Sequence, residues 1–370
     1  MNTEFNAFLT MLGSCLCPPG DGVYTVNTAK ERKEVLRRQL FQQSDDVRDK
    51  WLQQLANLPT DGNQAAILGI SSDCGGGILR GANWGPLFLR LALLEQQPDS
   101  YTFDLGDVRV VPHLLHDKYL NGQTISHCQQ VLYPNTQHEL PVSPLSITEF
   151  VADAFYQLFP EKGLFGIGGD HSISYPLTKS YLKARRGRGV RTAIIHFDAH
   201  TDLLTERLGI DLCFGSWCTH ILEFLPSPAN LIQLGIRSSG KPKSHWQDTF
   251  GVTQFWADEI RQHGAVVVAQ NIIAQLKEAQ VDELYVSYDI DALDASFAAA
   301  TGTPEFGGMT PDESLTILKL LAAEFPITAA DMMEIAPFTD ATGQGVGANI
   351  STLREGAKLS AFLLDAINKR

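Results

Sequence analysis

Six short apolar runs punctuate the chain from Ala65 onward: AAILGIS, GLFGIGG, RTAIIHFDA, NLIQLGIR, ELYVSYDID and ITAADMMEI. They are strand-length, and they lack the alternation of a strand with one wet face. Runs of this kind, separated by amphipathic stretches, predict a parallel sheet covered on both faces. Helical periodicity is read over Ile147–Leu158, Tyr175–Ala184, Asn271–Ala279, Asp312–Phe325 and Ser351–Asn368. The expected architecture is α/β, one three-layer α/β/α domain around a mainly parallel central sheet.

The flanking segments have a different texture. Residues 1–60 read as an N-terminal extension, polar and helical from Asn27 to Leu58, with the main domain over 61–370. Residues 108–145 show no period and carry His113, His116, His127 and His138. No internal repeat is evident.

Composition narrows the possibilities. The 370 residues are 44% hydrophobic and 19% charged, enough to bury a large core without disulfide or metal staples. The net charge of −13 repels polyanions, so neither nucleic acid nor an anionic membrane is an expected partner. No apolar run approaches ~18 residues. The opening MNTEFNAFLTMLGSCLC lacks the basic start of a secretory signal, which makes the cytoplasm the expected compartment. The six cysteines are scattered, without zinc-site spacing, and read as reduced thiols.

Three segments carry chemistry, each at the end of an apolar run. They are Gly168-Gly169-Asp170-His171-Ser172, His196-Phe197-Asp198-Ala199-His200-Thr201-Asp202, and Ser287-Tyr288-Asp289-Ile290-Asp291-Ala292-Leu293-Asp294. The C-terminal edge of a parallel sheet is where ligands bind. Alternate residues of a strand share a face, so Asp198 points with His200 and Asp289 with Asp291. His171 follows a diglycine that lets the backbone turn sharply. Alone, each segment reads as an ordinary turn, a hydrogen-bonded strand end or a calcium-type loop. Three together, each after a buried strand, point to one metal site.

Four aspartates at one edge repel unless cations neutralise them, and two divalent ions bring the matching charge. Oxygen and imidazole ligands without thiolate suit manganese, cobalt, nickel or zinc. Such a pair lowers the pKa of a shared water from about 15.7 toward neutrality, which supplies a hydroxide nucleophile.

In this order the segments resemble the ureohydrolase family of arginase and agmatinase. The likeness extends to Ile70–Gly75, Arg80–Pro86 with Arg90, the Asp104–Asp107 turn, Gly235-Ile236-Arg237, Thr301–Glu305 with Gly307-Gly308, and Asp331–Glu334. The resemblance implies one ion on His171, Asp198, Asp202 and Asp289 and another on Asp198, His200, Asp289 and Asp291, with manganese or nickel as the metal. It implies that Glu334 holds a guanidinium, that Gly302 and Thr303 shape the backbone around it, and that Asp291 or a nearby group takes a proton. A homo-oligomer, trimer or hexamer, is expected, and metal-insertion accessory proteins are possible partners.

The pattern departs from the family in two places: Asp294-Ala295 and Ala300-Thr301-Gly302 replace its Asp-Pro and Ala-Pro-Gly around the third motif, and one histidine is exchanged. Phe214 stands where members carry a His-Gly histidine, and His220 is the nearest candidate for its proton-shuttling role. Phe214 and Trp217 imply a tight, apolar pocket, and no motif for an amino-acid head group is present. The small guanidino substrates of the divergent guanidine-hydrolysing branch fit best. Agmatine or a guanidino acid at the same metal centre is the alternative, as is a non-catalytic subunit of a hetero-oligomer. An acid substrate requires a cationic partner, for which Arg80 and Arg237 are candidates.

Overall fold

The computed structural model describes residues 3–23, 29–42, 46–76, 79–134, 139–339 and 346–369. Nine strands form one sheet among them: β1 (Leu16–Cys17), β2 (Ala65–Ile70), β3 (Phe103–Val108), β4 (Gly163–Gly168), β5 (Thr192–Phe197), β6 (Leu231–Leu234), β7 (Thr253–Phe255), β8 (Glu283–Asp289) and β9 (Ile327–Met333). Their order is β1-β3-β2-β4-β9-β8-β5-β6-β7, parallel throughout except for the β1–β3 edge pair. All six apolar runs are strands, and the five helical stretches are helices: Pro144–Leu158, Ser174–Gly187, Ala265–Glu278, Pro311–Glu324 and Val346–Asn368.

Successive side chains of each strand enter opposite cores. Leu68, Ile194, Tyr285 and Ala329 pack on one face, while Ile67, Ile195, Val286 and Ala330 pack on the other. Burial on both faces explains the continuous apolar runs. The helices begin where capping dictates. Thr310 accepts the Glu313 N–H at 3.2 Å, Glu313 returns a bond to the Thr310 N–H at 2.8 Å, and Pro311 occupies the first turn.

Two elements depart from the sequence expectation. Asp104–Asp107, read as a turn, lies within β3, because the fully buried Arg90 neutralises both acids; its Nε is 2.8 Å from Asp104, and Nη1 binds Asp107. Residues 108–145 contain the helix Gly122–Leu132, capped by Asn121. Its apolar side, Ile125, Cys128 and Leu132, is only half-buried against the core, so the stripe is short in the sequence. The N-terminal segment packs on the main domain: Phe5, Phe8, Leu12, Trp51 and Leu55 join its core, and β1 pairs with β3. Asn27 and His138 lie outside the described residues. No helix among the described residues is long and apolar enough to cross a membrane, and all six cysteines are free thiols.

Candidate metal centre

β4, β9, β8 and β5 lie side by side in the middle of the sheet, and the segments leaving their C-terminal ends carry His171, Glu334, Asp291 and Asp198. Gly169 makes the first exit possible, since a Cβ there would run into the Ser72 carbonyl. Asp170 braces the turn, accepting N–H bonds from Ser172 at 3.0 Å and Gly75 at 3.1 Å. Burial, with Asp73 adding repulsion, pushes the Asp170 carboxyl up to about 7.

His171 is fully buried with its ring fixed from behind. Its Nε2 is 3.1 Å from Ser287 Oγ, which donates to Asp331 at 2.8 Å; Tyr285 donates to the other Asp331 oxygen at 2.6 Å. The serine hydroxyl donates to Asp331 or, at 3.2 Å, to Ser174, so Nε2–H donates to the serine oxygen and Nδ1 is the nitrogen turned toward the carboxylates. Nδ1 has no hydrogen-bond partner, yet Oδ2 atoms of Asp198, Asp289 and Asp202 stand 3.0, 3.1 and 3.2 Å away. A second cluster repeats the arrangement. His200 Nδ1 faces Asp291 Oδ2 at 3.2 Å and Asp198 Oδ1 at 3.3 Å.

Asp198 thus offers one oxygen to each histidine. Carboxylate oxygens gathered around a buried imidazole nitrogen are uncompensated without a cation, metal or proton, and nitrogen and oxygen donors without thiolate fit a borderline divalent ion. Asp289 faces the first cluster only; its Oδ1 accepts the Asp291 N–H at 2.8 Å.

The electrostatics agree with that fit. Burial and the neighbouring Asp198 raise Asp202, and burial with Asp291 and Asp198 raises Asp289. Asp198 is held well below the carboxylate range despite burial, because His171, His196 and His200 surround it. Asp291 and Asp198 push His200 up to about 12 against the cost of burial. Without metal, protons take the place of cations.

Two ligand-edge residues adopt left-handed backbone, Asp202 at φ 51° and Glu334 at φ 63°. Each costs on the order of 1–3 kcal/mol for a side chain that is not glycine. Trp217 holds the first, its indole N–H 2.8 Å from Asp202 Oδ2. Glu334 is held at both ends: its N–H donates to the Gly169 carbonyl at 2.8 Å, and its Oε1 accepts the His171 N–H at 3.0 Å. Burial, then Asp289 and Asp170, raise the Glu334 carboxyl.

The structure brings all six sequence-predicted ligands, His171, Asp198, His200, Asp202, Asp289 and Asp291, into these two clusters. Gly302 lies against Glu334, where a Cβ would stand 3.1 Å from Oε2. The Thr303 hydroxyl donates to Asp291 Oδ2 at 2.9 Å. Trp217 is wholly buried behind Asp202, and Phe214 lies under the Arg207 guanidinium with its N–H on the Gly75 carbonyl. His220 bonds the Asp211 carbonyl at 2.8 Å and joins neither cluster. Sequence reasoning missed His196, Ser287 and Asp331. The alternation that paired Asp198 with His200 also places His196 on their face, and that signal went unused.

A sequence model of the arginase family matches residues 63–357.

The chain belongs to the arginase family.

Arginase-family enzymes use a binuclear metal centre, and the two clusters carry ligands for one. The agmatinase of Photorhabdus laumondii is 35% identical over 181 residues, covering 48% of this chain and 53% of that protein. The match therefore spans about half of that relative's length. The mitochondrial agmatinase of Gallus gallus is 28% identical over 308 residues, covering 78% and 79%. Among solved structures, the proclavaminate amidino hydrolase of Streptomyces clavuligerus superposes with a TM-score of 0.62 at 24% identity, over 83% of this chain and 93% of that one. All six predicted ligands and Glu334 fall inside the arginase-family match, and residues 1–62 precede it.

Proposed function

We propose that this chain hydrolyses a C–N bond of a small guanidino compound, guanidine or an alkylguanidine, releasing urea with ammonia or an amine. For guanidine the balance is one guanidinium and one water in, one urea and one ammonium out. Glu334 carries the reading: a buried carboxylate with Oε1 on the His171 N–H, beside Gly302, next to the ligand clusters. A carboxylate accepts two parallel N–H bonds from a planar guanidinium, and the missing side chain at Gly302 leaves room for that plane.

Two divalent ions, manganese or nickel, held by His171, Asp198, Asp202 and Asp289 on one side and by Asp198, His200 and Asp291 on the other, would supply an activated water at neutral pH. The chain's own residues do the rest. Glu334 orients the guanidinium carbon toward the clusters. Asp291, steadied by Thr303 and by the Ala199 N–H at 3.1 Å, takes the proton released on attack. Phe214 narrows the approach.

A substrate without a carboxylate is supported by the cations nearby. Arg237 spends its donors on the carbonyls of Gly235, Asp291, Ala292, Leu293, Glu305 and Phe306, so it is no partner for a substrate carboxylate. Arg80 is bonded to the Asp73 carbonyl. Agmatine is the second reading, favoured by the names of the sequence relatives. We also propose a homo-oligomer, trimer or hexamer.

The test is urea release from guanidine, methylguanidine, agmatine, 4-guanidinobutyrate and arginine after separate loading with manganese and nickel. Fastest turnover of guanidine or methylguanidine is expected. Fastest turnover of agmatine or arginine discards the substrate and keeps the chemistry. No urea from any of them, with two ions bound, points to a non-catalytic subunit.

A further inference from the structure

A single buried row of polar side chains crosses five strands directly beneath the ligands. Asp331 on β9 is in register with Ser287 on β8, Ser287 with His196 on β5, His196 with Gln233 on β6, and Gln233 with Gln254 on β7. All five are buried in a sheet whose neighbouring positions are apolar. The Asp331–Ser287 end fixes His171, as described above. The other end converges on His196, which the ligand assignment leaves without a role.

The imidazole of His196 has different partners at its two nitrogens. Nε2 lies 2.9 Å from Asp198 Oδ2, and Nδ1 lies 2.9 Å from the side-chain amide nitrogen of Gln233. That assignment of Gln233 follows from the rest of the row. Gln233 Nε2 also points at the Thr201 carbonyl, 2.6 Å away, which can only accept. Gln233 Oε1 accepts from Gln254 Nε2 at 2.8 Å, and Gln254 Oε1 accepts the Trp256 indole N–H at 3.1 Å. An indole only donates and a carbonyl only accepts, so turning either amide over sets donor against donor or acceptor against acceptor. One arrangement is self-consistent. In it Gln233 donates to His196 Nδ1, the imidazole proton sits on Nε2, and that N–H donates to Asp198.

We infer that His196 is no metal ligand, although it stands within ligand distance of His171, Asp198 and Asp202, but a positioning residue whose Nε2–H holds the carboxylate shared by both clusters. To ligate, it would have to surrender the proton that Gln233 keeps on Nε2. As a donor it fixes the plane of Asp198, so that Oδ2 stays with His171 and Oδ1 with His200. Partners behind ligating groups are worth roughly 10–100-fold in metal affinity. The inference rests on the reading that the clusters hold two ions.

Manganese binding by the full chain tests it, with stoichiometry from elemental analysis and affinity from competition with a chelator. The parent chain is expected to bind two ions; a parent that binds none overturns the two-ion reading, and this inference with it. With two ions in the parent, His196→Phe, which keeps a ring and removes the donor, should still bind two, with affinity reduced roughly 10–100-fold. His196→Gln, which can return an N–H to Asp198, should recover much of that loss. Gln233→Leu, which leaves the imidazole in place, should weaken binding in the same direction and serves if the phenylalanine variant does not fold. One ion in His196→Phe makes His196 a ligand and overturns the inference. Unchanged affinity in His196→Phe or Gln233→Leu overturns it too.

Discussion

Glu334 accepts the backbone N–H of His171 at 3.0 Å, so the acid proposed to hold the guanidinium is tied to the chain that presents a metal-facing histidine. The two functions meet at the exits of adjacent segments, β4 and β9, whose registers match at Ile167 and Met332. Glu334→Gln keeps the shape and removes the charge. Hydrogen bonds to a charged group are worth about 1.5–3 kcal/mol, so kcat/KM for urea release should fall roughly 10–150-fold. Bound metal, measured in the same preparation, should not change. Loss of both together would assign Glu334 to the metal site.

Trp217 separates two accounts of one residue. The sequence expectation put it in the substrate pocket, whereas its indole N–H lies 2.8 Å behind Asp202 Oδ2, and its ring is 0% exposed. Trp217→Phe should therefore weaken metal binding by roughly 10-fold or more while leaving KM for the substrate within about twofold at saturating metal. A change confined to KM would return Trp217 to the pocket wall.

Metal should stabilise the fold as well as activate it. Four carboxylates are gathered here, and Asp202 and Glu334 hold left-handed backbone beside them. Metal present at 100 times its dissociation constant adds about 2.7 kcal/mol per site, provided the unfolded chain does not bind it. Melting followed by circular dichroism should show a rise in Tm on loading with manganese and a return on adding chelator. An unchanged Tm at saturating metal would contradict this.

Alkaline stability reports the packing of the N-terminal segment. Burial raises the Cys15 thiol from 9.0 to about 12, against smaller opposing effects of Tyr133 and Arg109. Above pH 9 the unfolded chain releases this proton and the folded chain keeps it. Its contribution is therefore complete below pH 9 and is lost toward 12, at about 1.4 kcal/mol per pH unit while the two states differ by one proton. Cys15→Ala should flatten the stability profile by that slope in urea melts between pH 9 and 11. An unchanged slope would mean that Cys15 is not shielded in the folded state.

The central strands and the clustering of the six candidate ligands were legible because one cause produced both patterns. A strand buried on both faces must be apolar throughout, so an acid or histidine at its end stands out against that run. Asp198, Asp289 and His171 are visible for this reason. β3 was not, because its two aspartates are neutralised by Arg90, fourteen and seventeen positions earlier, and no local pattern announces a buried ion pair. The polar row was hidden for a related reason. His196 and Gln233 sit singly inside separate apolar runs and Gln254 in the three-residue β7, and only the strand register brings them side by side. Trp217 was read as pocket lining because nothing local marks its indole N–H as a partner of Asp202, fifteen positions earlier.

The most direct test of the metal centre is anomalous scattering from crystals of the full chain loaded with manganese. The account predicts two peaks, one beside His171 Nδ1 and one beside His200 Nδ1, with Asp198 giving an oxygen to each. A single peak, a peak ligated without Asp198, or no peak at saturating manganese would contradict it.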